Sequence, residues 1–301
     1  INHFFIDISI FHVSSKRHPL LKPSLDGMVE IRDNIATDMS GAGGFGLPQM
    51  SEREMFEKLL SSDSDYSDEE PAIAANIGEQ MLHMNLVPLN RSFRVRIRDI
   101  TSKIPAKNIV LVGGGIGHLT AWLLDLWTGD PANPPETPRA RPESFRIIEP
   151  AGKFGVIIDR LIRRHSAEQW SQILTRPWQE ITAETSSWSA AAAALPSSAQ
   201  PSPLPQPIEL IIIDVPEIER PSATIAALDV ISPGGFILVK EPEVPTGDVG
   251  VPEDGQEPNA AQKKVQSFNQ WMDVIRECNI NHSMAFAELS GGTLAVIRRS
   301  I

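Results

Sequence analysis

The chain has 301 residues, enough for one sizeable core or for a domain of about 200 residues with an extension. At 41% hydrophobic and 22% charged, with no apolar run near the roughly 20 residues that cross a bilayer, it has the composition of a soluble globular protein, not a membrane one. One cysteine, Cys278, excludes an intramolecular disulfide and a cysteine-built metal site, so an intracellular, cytoplasmic setting and no metal are expected.

The net charge of −11 is unevenly spread. Residues 51–72 carry eight acids against two bases, and residues 241–257 carry six acids and no base. The remainder is close to neutral, so the balance neither excludes nor advertises a phosphate-bearing substrate.

In chain order, Ile1–Ile10 alternates like a strand and lacks the basic start of a secretory leader; the absence of Met at position 1 points to a processed product or a fragment. Residues 1–50 form an N-terminal extension that is glycine-rich over Asp38–Pro48. Residues 51–85 are expected to be an acidic, partly disordered linker, with a short helix over Glu52–Leu60 and a self-repelling run at Ser61–Pro71. Arg91, Arg94, Arg96 and Arg98 either contact phosphates or form a solvated helix face.

From residue 86 to 301 strand and helix patterns alternate, which implies a doubly wound α/β sheet. The expected strands are Ile109–Val112, Phe145–Ile148, Glu209–Ile213 and Gly234–Val239, with a closing antiparallel pair at Ser283–Ala287 and Thr293–Arg298. Helices are expected over His118–Trp127, Lys153–His165, Ser166–Leu174, Ser222–Val230 and Ala261–Glu277. Surface insertions fall at 129–142, with five prolines, at 186–207, an Ala/Ser/Pro tract, and at 241–258.

Gly113, Gly115 and Gly117 follow the first of these strands and open a helix, which aims backbone N–H groups and the positive helix end at a ligand. The spacing departs from the dinucleotide G-x-G-x-x-G, and no Lys-Ser/Thr pair of a phosphate-cradling loop follows. His118 could meet a carboxylate there, but with no partner in the sequence an exposed histidine is expected. Glu149, at the tip of the next strand, is placed to accept both ribose hydroxyls of an adenosine cofactor.

The order of glycine loop, Glu149, the Trp178-Gln179 segment, Asp214 and the Ser232-Pro-Gly-Gly turn leading to Lys240 resembles the class I S-adenosylmethionine-dependent methyltransferases over about residues 93–300. The resemblance implies the Rossmann-like doubly wound sheet of class I methyltransferases with an antiparallel final strand, and S-adenosylmethionine as cofactor. Gly113, Gly115 and Gly117 would pass its methionine end, Glu149 its ribose, Trp178 and Gln179 its adenine.

Asp214 and Lys240, at neighbouring strand tips, resemble part of the Lys-Asp-Lys-Glu tetrad of ribose 2′-O-methyltransferases, such as the heat-shock rRNA methyltransferases and the methyltransferase domain of negative-strand RNA virus polymerases. A lysine near a sulfonium can serve as base. Arg96 stands where the first lysine is expected and Glu288 some four residues before the glutamate, with Lys103 a possible substitute. An RNA substrate, cap or rRNA-like, follows from this resemblance. Readings left open are a small-molecule methyltransferase, an aminopropyltransferase, and a catalytically inactive scaffold in a larger complex. The Asp214-Val-Pro-Glu217 turn disfavours an amino-group methyltransferase, and the absence of a following catalytic domain disfavours NAD.

Overall fold

A computed structural model describes residues 11–13, 50–62, 66–192, 201–247, 249–250 and 257–301. The expectations for Ile1–Ile10 and Asp38–Pro48, and parts of those for the tracts at 61–71, 186–207 and 241–258, lie outside these residues.

The strands are β1 (Phe11–Val13), β2 (Asn108–Val112), β3 (Ser144–Ile148), β4 (Ser171–Leu174), β5 (Leu210–Ile213), β6 (Phe236–Lys240), β7 (His282–Leu289) and β8 (Gly292–Arg299). They form one sheet in the order β1-β7-β8-β6-β5-β2-β3-β4, with β8 alone antiparallel to its neighbours. This is the doubly wound sheet with an antiparallel final strand that the sequence predicts. The chain leaves β2 toward β3 and β4 on one side and returns to β5 and β6 on the other, so a crevice opens beyond the carboxyl ends of β2 and β5.

The central strands are apolar on both faces because helices cover both. Ile109, Leu111, Phe145, Ile147, Leu210 and Ile212 join one core layer, under α1 (Glu52–Leu60), α2 (Ala72–His83), α3 (Arg91–Lys103), α4 (His118–Thr128) and α5 (Gly152–Arg164). Their neighbours Val110, Val112, Ile148, Ile211 and Ile213 join the other, under α6 (Trp178–Ala191), α7 (Arg220–Val230) and α8 (Ala260–Asn281). Strict alternation along each strand is the two-residue period of extended chain.

Three expectations are corrected. Ser166–Leu174 is not a helix: Ser166 takes a left-handed φ of 51° that ends the α5 region, and residues 171–174 complete the edge of the sheet as β4 on β3. The alanine-rich start of the 186–207 tract continues α6 to Ala191 instead of looping out. Residues 51–85 are not simply a linker. α1 is closed by a Ser51–Glu54 capping box, and both α1 and α2 insert apolar residues into the core, including Phe56, Leu59, Ile73 and Ile77.

The acidic run between these helices is held by arginines of α3. Arg91 donates to the Asp68 carbonyl, Arg98 to that of Ser67, and Arg94 to both the Leu89 carbonyl and Glu70 Oε1, the last at 2.8 Å. Arg96 bonds the carbonyls of Leu60 and Ser61 at 3.2 and 3.0 Å, and Lys103 that of Ser61 at 2.9 Å, closing the carboxyl end of α1. Arg94 and Arg98 are 5% and 4% exposed, Arg96 is half-buried and Arg91 exposed, and each holds a backbone carbonyl, so the row acts as staples and not as a solvated face.

Candidate functional site

A cavity of about 840 Å³ occupies the crevice at the carboxyl edge of the sheet. It is lined by Pro177, Trp178 and Gln179, by Gly113–Ile116 and Glu149, and by Asp214, Arg220, Lys240 and Glu243. Met81 and the α2–α3 connection, Leu86–Asn90, cover it from the helical side.

The glycines of the turn do different jobs. A Cβ on Gly113 (φ 91°) would lie 2.3 Å from the Asp214 carbonyl oxygen, and one on Gly114 would lie 2.7 Å from Ile158, so close packing demands these two. Gly117 (φ 95°) is the left-handed N-cap of α4; its Cβ would press on Leu161, and it does not line the cavity. Gly115 (φ 52°) has nothing within 4 Å of its Cβ position and faces open space. Of the three predicted glycines, Gly115 is the one with room for a ligand.

Glu149 grips that turn. Its Oε2 accepts the Gly115 N–H at 2.7 Å and its Oε1 the Ala151 N–H at 2.9 Å. Burial raises the carboxyl above its ordinary range, and these two N–H groups partly oppose the rise. Each oxygen keeps lone-pair capacity for a further donor.

Trp178 is 4% exposed, with its indole N–H on the Ala223 carbonyl at 3.0 Å, so it is as much core as cavity wall, while Gln179 is exposed beside it.

Asp214 follows β5 and Lys240 ends β6, in adjacent parallel register. Among the described residues neither side chain has a hydrogen bond or ion pair, although Lys240 Nζ stands 5.1 Å from the centroid of the Phe93 ring. Burial lifts the Asp214 carboxyl to about 6 against the pull of Arg220 and Arg94. Burial, then Arg220, lowers the Lys240 ammonium, with Glu243 and Glu217 opposing. Arg220 ties the two loops together through the carbonyls of Val215 and Glu241, both at 3.3 Å.

Arg96 and Glu288 do not join this pair. Arg96 is committed to the end of α1, and Glu288 is exposed on β7, a full strand away from β6 across β8. Neither lines the cavity, and Lys103 is likewise turned to α1. The cation that reaches the cavity from α3 is Arg94.

His118 is 6% exposed, contrary to the exposed histidine expected, because it has a partner distant in sequence. Its Nε2 lies 2.9 Å from Glu70 Oε1, which also accepts from Trp122 Nε1 at 3.3 Å and from Arg94. Burial would raise the Glu70 carboxyl, but His118, Arg94 and Trp122 hold it below its ordinary value. Glu70 is therefore ionised and accepts the Nε2 proton, leaving Nδ1 as a bare acceptor; His118 Nδ1 and Arg94 Nε are both buried without a partner. Sequence reasoning missed Glu70, Phe93 and Arg220. The first had a signal: an acid just before Pro71 and an Ile73/Ile77 helical repeat. The other two had none.

Among the described residues no group of three His, Cys, Asp or Glu side chains is placed to hold a metal ion, and no helix is long and apolar enough to cross a membrane.

No protein-family profile matches the sequence, and no curated protein matches it. Solved structures do match. A candidate caffeoyl-CoA O-methyltransferase from Staphylococcus aureus superposes with a TM-score of 0.53 at 11% identity, over 82% of this chain and 98% of that one. An O-methyltransferase from Bacillus cereus in complex with SAH gives 0.48 at 16% identity, over 82% and 97%. One from Streptomyces achromogenes in complex with SAM gives 0.49 at 13%, over 84% and 100%. The first superposition, with the strand order above, makes this the class I methyltransferase fold; at these identities it speaks to the fold alone.

Proposed function

We propose that the chain is an S-adenosylmethionine-dependent O-methyltransferase acting on a small-molecule acceptor. The observation that carries this reading is one cavity lined together by Gly115, the Glu149 carboxylate, Trp178 and Gln179, and by Asp214 and Lys240, whose side chains make no hydrogen bond among the described residues. The group fits these residues: Gly115 leaves the room a Cβ would fill, Glu149 retains acceptor capacity for two ribose hydroxyls, and Arg94 and His118 hold unpartnered polar atoms beside the turn. Bound, the cofactor supplies an electrophilic methyl on a sulfonium, whose sulfur keeps the electron pair of the broken C–S bond.

The chain's residues do the rest. Asp214, raised to about 6, is ionised at neutral pH yet more basic than an ordinary aspartate, so it takes the acceptor's hydroxyl proton as the new O–C bond forms. Lys240, held over Phe93, stabilises negative charge developing on that oxygen. The cover from α2 and residues 86–90 limits water.

The RNA ribose reading rested on a tetrad of which two members, Arg96 and Glu288, stand outside the cavity. Among the charged residues that line the cavity, Glu149, Asp214, Glu217, Glu219 and Glu243 outnumber Arg94, Arg220 and Lys240, a balance that disfavours a phosphate backbone. The small-molecule reading is therefore preferred. It is tested by mass-spectrometric detection of methyl transfer to a panel of hydroxylated small molecules and a capped RNA oligonucleotide. Methylation of the RNA alone reverses the preference; failure to bind the cofactor leaves a scaffold.

A further inference from the structure

The cavity mouth has two apolar lips. On one side Met81, Leu86, Val87, Pro88 and Leu89 line the cavity, and Val87 is 91% exposed. On the other, Val215 and Pro216 line it on a loop that continues to Glu217, and Glu243 lines it from the next loop. These two loops are tied by the Glu243 N–H to Glu217 Oε1 at 2.8 Å, and Lys264 spans both carboxylates at 3.7 and 3.6 Å.

Of the nine large apolar side chains exposed among the described residues, the most exposed, Val87, lines this cavity, with Leu86 and Leu89 lining it beside Val87. Single exposed apolar residues scatter over any surface, whereas a cluster around a cleft marks what the cleft admits. Of the charged groups that line the cavity, Glu149, Asp214, Glu217, Glu219 and Glu243 outnumber Arg94, Arg220 and Lys240, so an anionic body is disfavoured relative to a neutral apolar one. At the inner end of the same path stand Asp214 and Lys240.

We propose that the acceptor is a neutral lipophilic alcohol or phenol. Its hydroxyl enters between Asp214 and Lys240, and its apolar body extends outward along Leu86, Val87 and Leu89 to the lips. The assignment rests on the methyl-transfer reading above. In balanced form, the acceptor O–H gives its proton to Asp214, its oxygen forms the bond to the methyl carbon, and the C–S electron pair stays on sulfur; no oxidant or further reactant is needed.

The experiment is calorimetric titration of 4-alkylphenols, from ethyl to octyl, into the full chain saturated with S-adenosylhomocysteine. Each methylene that finds the lips tightens binding about threefold to fourfold. Val87→Asp, at a position too exposed to be needed for folding, is expected to weaken the octyl compound about tenfold and the ethyl compound little. Affinity that does not change along the series, or equal loss for both compounds in Val87→Asp, overturns the proposal while leaving methyl transfer standing. Failure of S-adenosylhomocysteine to bind the wild-type chain overturns the methyl-transfer reading itself, and this proposal with it.

Discussion

The floor of the cavity and its cover meet at Arg94, yet they are held by different forces. The floor consists of strand tips: Gly113, Glu149 and Asp214 each follow, and Lys240 ends, a strand whose side chains alternate between two apolar layers, so hydrophobic burial fixes their backbone. The cover consists of α2, residues 84–90 and α3. Its acidic leader is positioned by arginines on carbonyls and by one carboxylate, Glu70, that serves Arg94, His118 and Trp122 together. A wall held by burial tolerates loss of a surface charge; a wall held by polar groups fails when its hub is removed. The site joins a rigid half to a half that a single side chain controls.

The largest expected effect separates chemistry from stability within the floor. Asp214→Asn removes the proposed proton acceptor and is expected to lower kcat at least 100-fold. The same change stabilises the fold. Because the native carboxyl is raised from 3.8 to about 6, the folded chain binds the extra proton between those values, so stability falls as pH rises from about 4 to about 6 and stays reduced above. Asparagine abolishes that slope and adds about 3 kcal/mol at pH 7, read from denaturant midpoints across pH. A variant equally slow but less stable at pH 7 would contradict a desolvated Asp214.

Next, Glu70→Ala strands Arg94 without its carboxylate and costs about 3 kcal/mol, with Glu70→Gln costing less. Hydrogen exchange is expected to show α2 opening first while β2 and β5 stay protected. Uniform loss of protection would mean that floor and cover form one cooperative unit. Arg96→Ala, which removes two bonds to the end of α1 but nothing from the cavity, costs about 1 kcal/mol and leaves cofactor affinity unchanged in calorimetry.

The smallest effect concerns Cys278, on the buried face of α8, with its thiol pushed up to about 12 by burial. It is expected to stay unlabelled by a thiol reagent at pH 8 until denaturant unfolds the chain.

The same contrast explains what was legible in the sequence. The floor could be read because apolar runs such as Leu210–Ile213 permit few arrangements, and the acids and glycines that follow them fall at the edge of the sheet by necessity. The cover could not. A run of acids looks like solvated chain when its partners, the α3 arginines, lie 23 to 31 residues on, and no local pattern announces that Arg94 and Arg98 are buried. Arg96 was misplaced for a related reason. Spacing from the glycine loop put it near the site, but adjacent helical residues face different ways, and it is Arg94 that turns to the cavity while Arg96 turns to α1. Likewise, counting along the chain brings Glu288 toward the Lys240 end of the sheet, whereas the sheet order inserts β8 between it and Lys240.

The central claim is that the Gly115–Glu149 turn holds an adenosyl cofactor, and the measurement that tests it most directly is calorimetric titration of S-adenosylmethionine, with NAD in parallel, into the wild-type chain and Glu149→Ala. Two charge-assisted hydrogen bonds to the ribose contribute about 2 kcal/mol beyond water, so the variant is expected to bind S-adenosylmethionine roughly 30-fold more weakly than wild type, with NAD binding neither. Absence of S-adenosylmethionine binding to the wild-type chain, or equal affinity in Glu149→Ala, would contradict it.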